Sequence, residues 1–149
     1  MPDPSQWAIF EHPALSTYTR SRVAILGDAA HASTPHQGAG AGQAIEDALV
    51  LAELFGDPKV RSISDVKAAF KAYDDVRRPR SQRVVTSSKE GAFLLCLRLE
   101  GVGNDADALK KAFQKRLRWL WDLAVQAHVD EAKHKMAEHM HHTASLQAL

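Results

Sequence analysis

The sequence predicts an α/β fold present only in part: a mainly helical chain with one or a few short strands. Three observations carry this. RVAIL at 22–26 is a short β-branched apolar run stopped by Gly27, the pattern of a strand buried on both faces, as in a parallel sheet. Directly after it, GDAAHASTPHQGAGAG at 27–42 is a loop rich in glycine with one proline. At least four stretches further on carry apolar residues at helical spacing. A lone strand cannot satisfy its own backbone groups. The pattern at 22–55 therefore asks for a sheet that this chain does not supply, and the expectation is a piece of something larger or a strand that pairs elsewhere.

Taken in order, residues 5–20 mix Trp7, Ile9 and Phe10 with the breaker Pro13 and read as an irregular or strand-like entry. After the loop, a helix is expected from about Gln43, with Ile45, Ala48, Leu49, Ala52 and Phe55 as its apolar face. Glu46 and Asp47 fall in its first turn, where negative charge suits the dipole. Gly56 and Pro58 end it. Ser62 and Asp65 have the spacing of a capping box, with Asp in place of Glu or Gln. Val66, Ala69, Phe70 and Tyr73 mark a second helix that Pro79 should kink or interrupt. A third segment, about 80–99, carries Val84, Val85, Leu94, Leu95 and Leu99. GVGND at 101–105 is a turn with Asp105 as N-cap. A fourth helix places Leu109, Ala112, Phe113, Leu117, Leu120 and Ala124 on one face. Beyond it the chain is polar and His-rich and should fray.

A chain of 149 residues suits one domain with a modest core. Its net charge of +1 supplies no field for nucleic acid or a membrane surface. The one compact basic cluster, RRPR at 77–80, follows Asp74 and Asp75, so no nucleic-acid partner is expected. The single cysteine, Cys96, allows no internal disulfide and no cysteine zinc site. It lies in an apolar run and reads as a buried, inert side chain. No basic segment followed by a long apolar run opens the chain, so no signal peptide is expected. No apolar run is long enough to span a bilayer. A cytoplasmic location is the expectation.

The loop has its own chemistry. At the carboxyl end of a strand, Asp28 can accept hydrogen bonds from sugar or ribityl hydroxyls. Gly38, Gly40 and Gly42 remove side chains that would keep a flat or phosphorylated ligand from the backbone. Helix amides near Ala41, Gly42 and Gln43 favour an anionic or electron-rich group. The alternating glycines fit neither G-x-G-x-x-G nor a Walker loop. Spacing alone leaves a ligand loop and a bare structural turn equally open.

The residues also carry a resemblance. GDAAH at 27–31, Pro35-x-x-Gly38-x-Gly40 and EDA at 46–48 resemble the second flavin motif of class A FAD-dependent aromatic monooxygenases, in the salicylate-hydroxylase-like branch. Trp7, FEHP at 10–13, Tyr18 and RVAILGD resemble that branch's lead-in. Tyr73, Arg77, Pro79 and Arg80 resemble its Y-x-x-x-R-x-P-R segment, and WLWD at 119–122 its C-terminal end. The similarity covers most of this chain and corresponds to about the C-terminal third of a full enzyme. It implies that the strand belongs to a Rossmann-like FAD-binding domain. Residues 1–58 would be the C-terminal part of that domain (strand, GD loop, helix), and 59–149 a helical C-terminal region.

The resemblance further implies FAD as cofactor, NAD(P)H as reductant in the full-length family, and O2 used to hydroxylate a small aromatic substrate. Asp28 would hydrogen-bond the ribityl chain, with Gly27 and Ala29 lining the cofactor. Pro35 and His36 would lie near the flavin ring and its reacting edge, beside the open backbone of Gly38, Gly40 and Ala41. The amides of Gly42 and Gln43 would face the pyrimidine end of the ring. The G-x-G-x-x-G and Asp-Gly segments of the family do not occur in this sequence, so the N-terminal FAD and substrate region, or a homo-oligomer partner, is expected to complete the site.

Single residues also have plainer readings. His31 more simply fixes the loop than carries a proton, which leaves His36 as the one candidate for a catalytic role. Asp28 and His31 lack a third ligand, and His134, His139, His141 and His142 read as a polar terminus, so no metal site is expected. Arg77, Arg78 and Arg80 suit ion pairs better than pyrophosphate. Trp119 and Trp121 point to different helix faces. Two alternatives to an enzyme stay open: a non-catalytic helical interaction module, and an inactive truncated product that retains the flavin loop.

Overall fold

The computed structural model describes residues 5–147, without the side chains of 144, 146 and 147. Residues 1–4, part of the stretch read for a leader, lie outside it. Strands β1 (Thr19–Arg20) and β2 (Val23–Ala24) pair antiparallel, Thr19 opposite Ala24 and Arg20 opposite Val23. One helical turn, α1 (Asp28–His31), and a 3₁₀ turn at Pro35–Gln37 lead into α2 (Gly40–Phe55). The long α3 (Ile63–Leu95), α4 (Ala106–Trp121) and α5 (Val125–Gln147) follow.

RVAIL is therefore not a doubly buried parallel strand. Only Val23 and Ala24 enter a ladder, and Val23 is 64% exposed. Ser21, with φ at 58°, turns the chain back so that the run's hydrogen-bonding groups meet the residues just before it. The hairpin is fastened to α3 by polar bonds. Tyr18 N–H donates to Asp74 Oδ1 at 2.7 Å, Tyr18 Oη meets Ser81 Oγ at 2.8 Å, and Tyr73 Oη donates to the Ile25 carbonyl at 3.0 Å.

Helix α2 starts at Gly40, earlier than expected, because Gly38 takes the left-handed conformation (φ 61°) and closes the 3₁₀ turn. Glu46 and Asp47 consequently lie beyond the first turn, and the dipole argument does not apply to them. The expected core face is also reversed. Gln43, Asp47, Val50 and Leu54 are buried, whereas Ile45 is 70% exposed and Leu49 and Phe55 are also open. Periodicity identifies residues that share a face. The face that is covered is the one α3 reaches with its arginines.

Helix α3 begins on the expected capping box, with Asp65 N–H donating to Ser62 Oγ at 3.2 Å and Ser62 N–H to Asp65 Oδ2 at 2.8 Å. It runs through Pro79 without interruption, so 63–78 and 80–95 are one helix. Pro79 cannot donate to the Asp75 carbonyl, but the helix continues because Val76, Arg77 and Ser81 around it are buried in packing. The helix ends with Cys96 as its cap, short of Leu99. The chain leaves there through Leu97 at positive φ, which puts Cys96 on the surface rather than in the core.

Asp105 caps α4 as expected, accepting from Ala108 N–H at 2.7 Å. Of the apolar residues expected on α4's core face, only Leu120 is buried; Phe113 and Ala124 are exposed, and Ala124 lies past the helix end. The His-rich tail does not fray: it is α5. Val129, Ala132 and Met136 form a narrow buried seam, of which Ala132 and Met136 join the core cluster with residues of α2 and α3. Outside the seam, Lys133 Nζ reaches Glu53 at 2.6 Å and His139 Nε2 reaches Asp75 at 2.7 Å. Polar composition hid a seam only three residues long. Small Ala68, Ala69 and Ala72 let the helices approach closely around Tyr18, Tyr73, Val50 and Leu54. This one cluster draws residues from both sides of position 58.

Candidate functional site

The site is built where α1 meets the head of α2. Gly27 precedes α1 with φ 58° and ψ −142°, a conformation that favours glycine, and a Cβ there would lie 3.5 Å from Ala44 Cβ. The amides of Ala30 and His31 both donate to the Gly27 carbonyl at 2.9 Å, which sets Asp28 at the start of the turn. Asp28 and Ala29 are exposed. Pro35 opens the 3₁₀ turn, and the Gly38 N–H closes it on the Pro35 carbonyl at 3.1 Å.

Beyond that turn the backbone faces open space. A Cβ at Gly38 or Gly42 would meet nothing within 4 Å. Ala39 offers α2 no side-chain cap. Among the described residues, the first amide of α2 with a protein acceptor is that of Gln43, bonded to the Ala39 carbonyl at 3.0 Å. The amides of Gly40, Ala41 and Gly42 remain as donors at the positive end of a helix of 16 residues. A cavity of about 360 Å³ lies at this end, lined by Gly38, Ala39, Gly42, Gln43 and the Arg-paired Glu46 and by the apolar Leu120, Trp121, Leu123 and Val125. Gln37 also lines it, and its Nε2 is a buried donor without a partner. Open glycine backbone, unpartnered donors and apolar lining side chains fit a flat, electron-rich ring.

Behind this surface sits a buried ionic hub. Asp47 and Arg77 have fully buried side chains, and Arg77 Nε donates to Asp47 Oδ1 at 2.8 Å. Asp47 Oδ2 takes the Gly27 N–H at 3.0 Å and lies 2.6 Å from His31 Nε2. Arg77 Nη2 donates to the Gln43 carbonyl at 3.1 Å and to Gln43 Oε1 at 2.9 Å. Arg77 Nη1 pairs with Glu46, which Arg80 grips with two bonds of 2.6 and 2.8 Å. One carboxylate thus ties the glycine turn to α3, and one guanidinium ties the head of α2 to it. Burial opposes ionisation of Asp47, but hydrogen bonds from His31, Gly27 and Arg77 outweigh it and hold its pKa low. Glu46 is likewise penalised by burial and held low by Arg80 and Arg77. His128 of α5, 3.3 Å from Arg77 Nη1, is pushed down by burial and then by Arg77 and Arg80.

The structure brings Gly27 against the head of α2 and leaves Asp28, Ala29, Pro35, Ala41 and Gly42 exposed around it. Gln43 does a different job from the one expected: its amide serves the helix and its buried side chain holds Arg77. His31 is fixed on Asp47. His36 packs against Gly91 of α3, whose added Cβ would meet His36 Cβ at 3.4 Å, and its Nδ1 is buried without a partner. Arg77, Arg78 and Arg80 all form ion pairs. Sequence reasoning missed Gln37 and the Asp47–Arg77 hub. The E-D-A and Y-x-x-x-R-x-P-R patterns held the hub's residues, but nothing in either links them. Among the described residues, no three His, Cys, Asp or Glu side chains are placed to hold a metal, and no helix is long and apolar enough to cross a membrane.

The glycine turn, tied to the head of α2 through Asp47, lies within the part of the chain that a known family covers. The family model described as "FAD binding domain" matches residues 4–88, more than half of the chain, and the chain belongs to that family. It is 41% identical over 147 residues to a salicylate hydroxylase of Pseudomonas putida, covering 99% of this chain and 34% of that protein. It is 42% identical over 135 residues to 6-methylsalicylate 1-monooxygenase of Aspergillus terreus, covering 91% and 30%. The solved structure of a salicylate hydroxylase substrate complex superposes with a TM-score of 0.80 at 44% identity, covering 85% of this chain and 30% of that one. The fold is thus the expected one, a mainly helical part of a larger α/β FAD-binding fold. The chain spans about a third of the length of the curated relatives it matches.

Proposed function

We propose that this chain is the C-terminal, flavin-facing part of an FAD-dependent monooxygenase that hydroxylates a small aromatic substrate with NAD(P)H and O2. The observation that carries the reading is the set of unpartnered amides at Gly40, Ala41 and Gly42, at the open head of α2, where Gly38, Ala39 and Gly42 line a cavity. Bound there, FAD would supply the redox chemistry, accepting electrons from the reductant and activating oxygen. The chain's own residues bind and orient. Asp28 would accept from the ribityl hydroxyls, with Gly27 and Ala29 alongside. Pro35 and Gly38 would bound the ring, and the α2 amides would oppose negative charge on it. His36, next to Pro35, is the side chain proposed to hold a proton at the reacting edge.

The division of roles follows. Residues 1–58 would carry the flavin loop and 59–149 the helical support that fixes it. The open apolar face of α2, with Ile45, Leu49 and Phe55, supports the proposal that an N-terminal FAD and substrate region covers it in the working enzyme. A cytoplasmic location completes the proposal, consistent with a single cysteine.

An FAD titration of the purified chain tests this, read by flavin fluorescence and the visible spectrum. Saturable binding that Asp28→Ala weakens about tenfold, the loss of one charge-assisted hydrogen bond, is the expected result. A folded chain that leaves the flavin spectrum unchanged at saturating concentration would overturn it and favour the non-catalytic reading.

A further inference from the structure

Away from the flavin loop, α3 and α4 enclose an open cleft of about 640 Å³ lined by Arg83, Lys111, Gln114, Lys115, Arg118 and Trp119. Four of these six side chains are cationic and none is acidic. The whole chain carries a net charge of only +1, so this is a local concentration of positive charge. The neighbouring cations are already used: Arg80 pairs with Glu46, and Arg116 donates to the Ser87 carbonyl at 2.6 Å and to Glu90 at 3.0 Å. Among the described residues, Arg83, Lys111, Lys115 and Arg118 form no ion pair, which sets them apart from these neighbours.

The cleft is also organised. Arg116 pins α4 to α3 by its two bonds to the Ser87–Glu90 turn. Its Nε is a buried donor without a partner in the adjoining cavity of about 390 Å³, which shares Arg83, Lys115 and Trp119. The guanidinium of Arg83 stacks 3.9 Å from the centre of the Trp119 ring, which holds it in place before any ligand arrives. Lys111, Lys115 and Arg118 fall at helical spacing on one face of α4, opposite Arg83. From Lys111 to Arg118 the face runs about 10 Å along the axis, the reach of a diphosphate with its attached sugar. Unpaired like charges held this close are relieved by a multiply charged anion.

We propose that this cleft is a second binding site, for a small molecule of the nucleoside diphosphate class. The cations take the phosphates, and the base lies against the part of the Trp119 ring that Arg83 and Arg80, 3.9 and 5.6 Å from its centre, leave open. The site does not depend on the flavin reading, since no cradle residue lines it.

Calorimetric titration of the chain with ADP, with inorganic pyrophosphate as a second probe, tests it at low and physiological salt. The expected result is one saturable ADP site, weakened at least tenfold by Lys111→Ala with Lys115→Ala. Both lysines are exposed, so the thermal midpoint should stay unchanged. Pyrophosphate should bind several-fold more weakly than ADP, and Asp28→Ala should leave ADP binding intact. The proposal is overturned by the absence of saturable heat, or by affinity that ignores the lysine pair. It is equally overturned if Asp28→Ala abolishes ADP binding, which would place the diphosphate at the flavin loop. Equal displacement of ADP by a glutamate-rich peptide of matched charge would show a general field for acidic protein segments, and would also sink it.

Discussion

The two faces of α2 differ in the opposite sense from an ordinary surface helix. Its inward face carries Gln43 and Asp47 beside Val50 and Leu54, all buried. Its outward face carries Ile45, Leu49 and Phe55, all exposed. Polar residues are buried because the inward face has to hold something in place. Asp47 and Gln43 receive Arg77, and Asp47 also holds the Gly27 amide. On the apolar side Phe55 meets Phe70 edge to face, and Ile45 stays 70% exposed. Burying charge on one face of a helix while exposing hydrocarbon on the other makes sense for a scaffold that shapes a loop and presents a second surface for docking.

Breaking the inward face should produce the largest effect. Asp47→Ala removes the shared acceptor of the buried Arg77 Nε, His31 and the Gly27 amide, while Arg77 keeps Glu46 and Gln43. The expected cost is about 3–5 kcal/mol, read as a fall in the urea midpoint with little change in slope. A loss below about 1 kcal/mol would mean that the hub is not a structural tie, since removing a single neutral hydrogen bond costs that much.

Next in size is the acid response. His128 has its pKa lowered by burial and by Arg77 and Arg80. Its native value thus lies below the unfolded one of about 6.5. The stability it contributes is present above that value and is lost as pH falls through the native pKa. Asp47 and Glu46, also depressed, contribute stability above the ordinary carboxylate range of about 4 and lose it below. Urea unfolding across pH should therefore decline in two stages, and His128→Gln should remove the first stage while sparing the second. A variant that keeps the first stage would show that the burial of His128 is not its cause.

These tests also mark how far the sequence could be read. The Ser62–Asp65 box and the Asp105 cap were legible because each is a local spacing with one physical meaning, whereas spacing left the 27–42 loop open between a ligand loop and a bare turn, and only the family resemblance pointed to flavin. Arg77 was legible as an ion-pairing residue, but its partner was not, since Asp47 lies 30 positions away and looks like a dipole residue until the true start of α2 is known. The antiparallel hairpin depended on Ser21 at positive φ, which the residue type does not announce. The continuity of α3 through Pro79 depended on packing around the proline, and α5 on a seam of Val129, Ala132 and Met136 among polar neighbours. In each case tertiary contact overrode local preference.

The smallest effect belongs to the outward face and gives the sharpest test of the comparison. Leu54 and Ile45 sit on the same helix, one wholly buried and the other 70% exposed. Leu54→Ala should cost about 2–5 kcal/mol through lost burial and a cavity. Ile45→Ala should change the stability of this chain by no more than about 0.5 kcal/mol. The same Ile45 substitution should matter once the face is covered, so its effect measures covering directly. Adding a longer N-terminal FAD and substrate region, in cis or as a separate chain, should raise its cost into the range of a buried residue. If Ile45→Ala is already expensive in the chain alone and the cost depends on protein concentration, a second copy covers the face and the chain is a homo-oligomer.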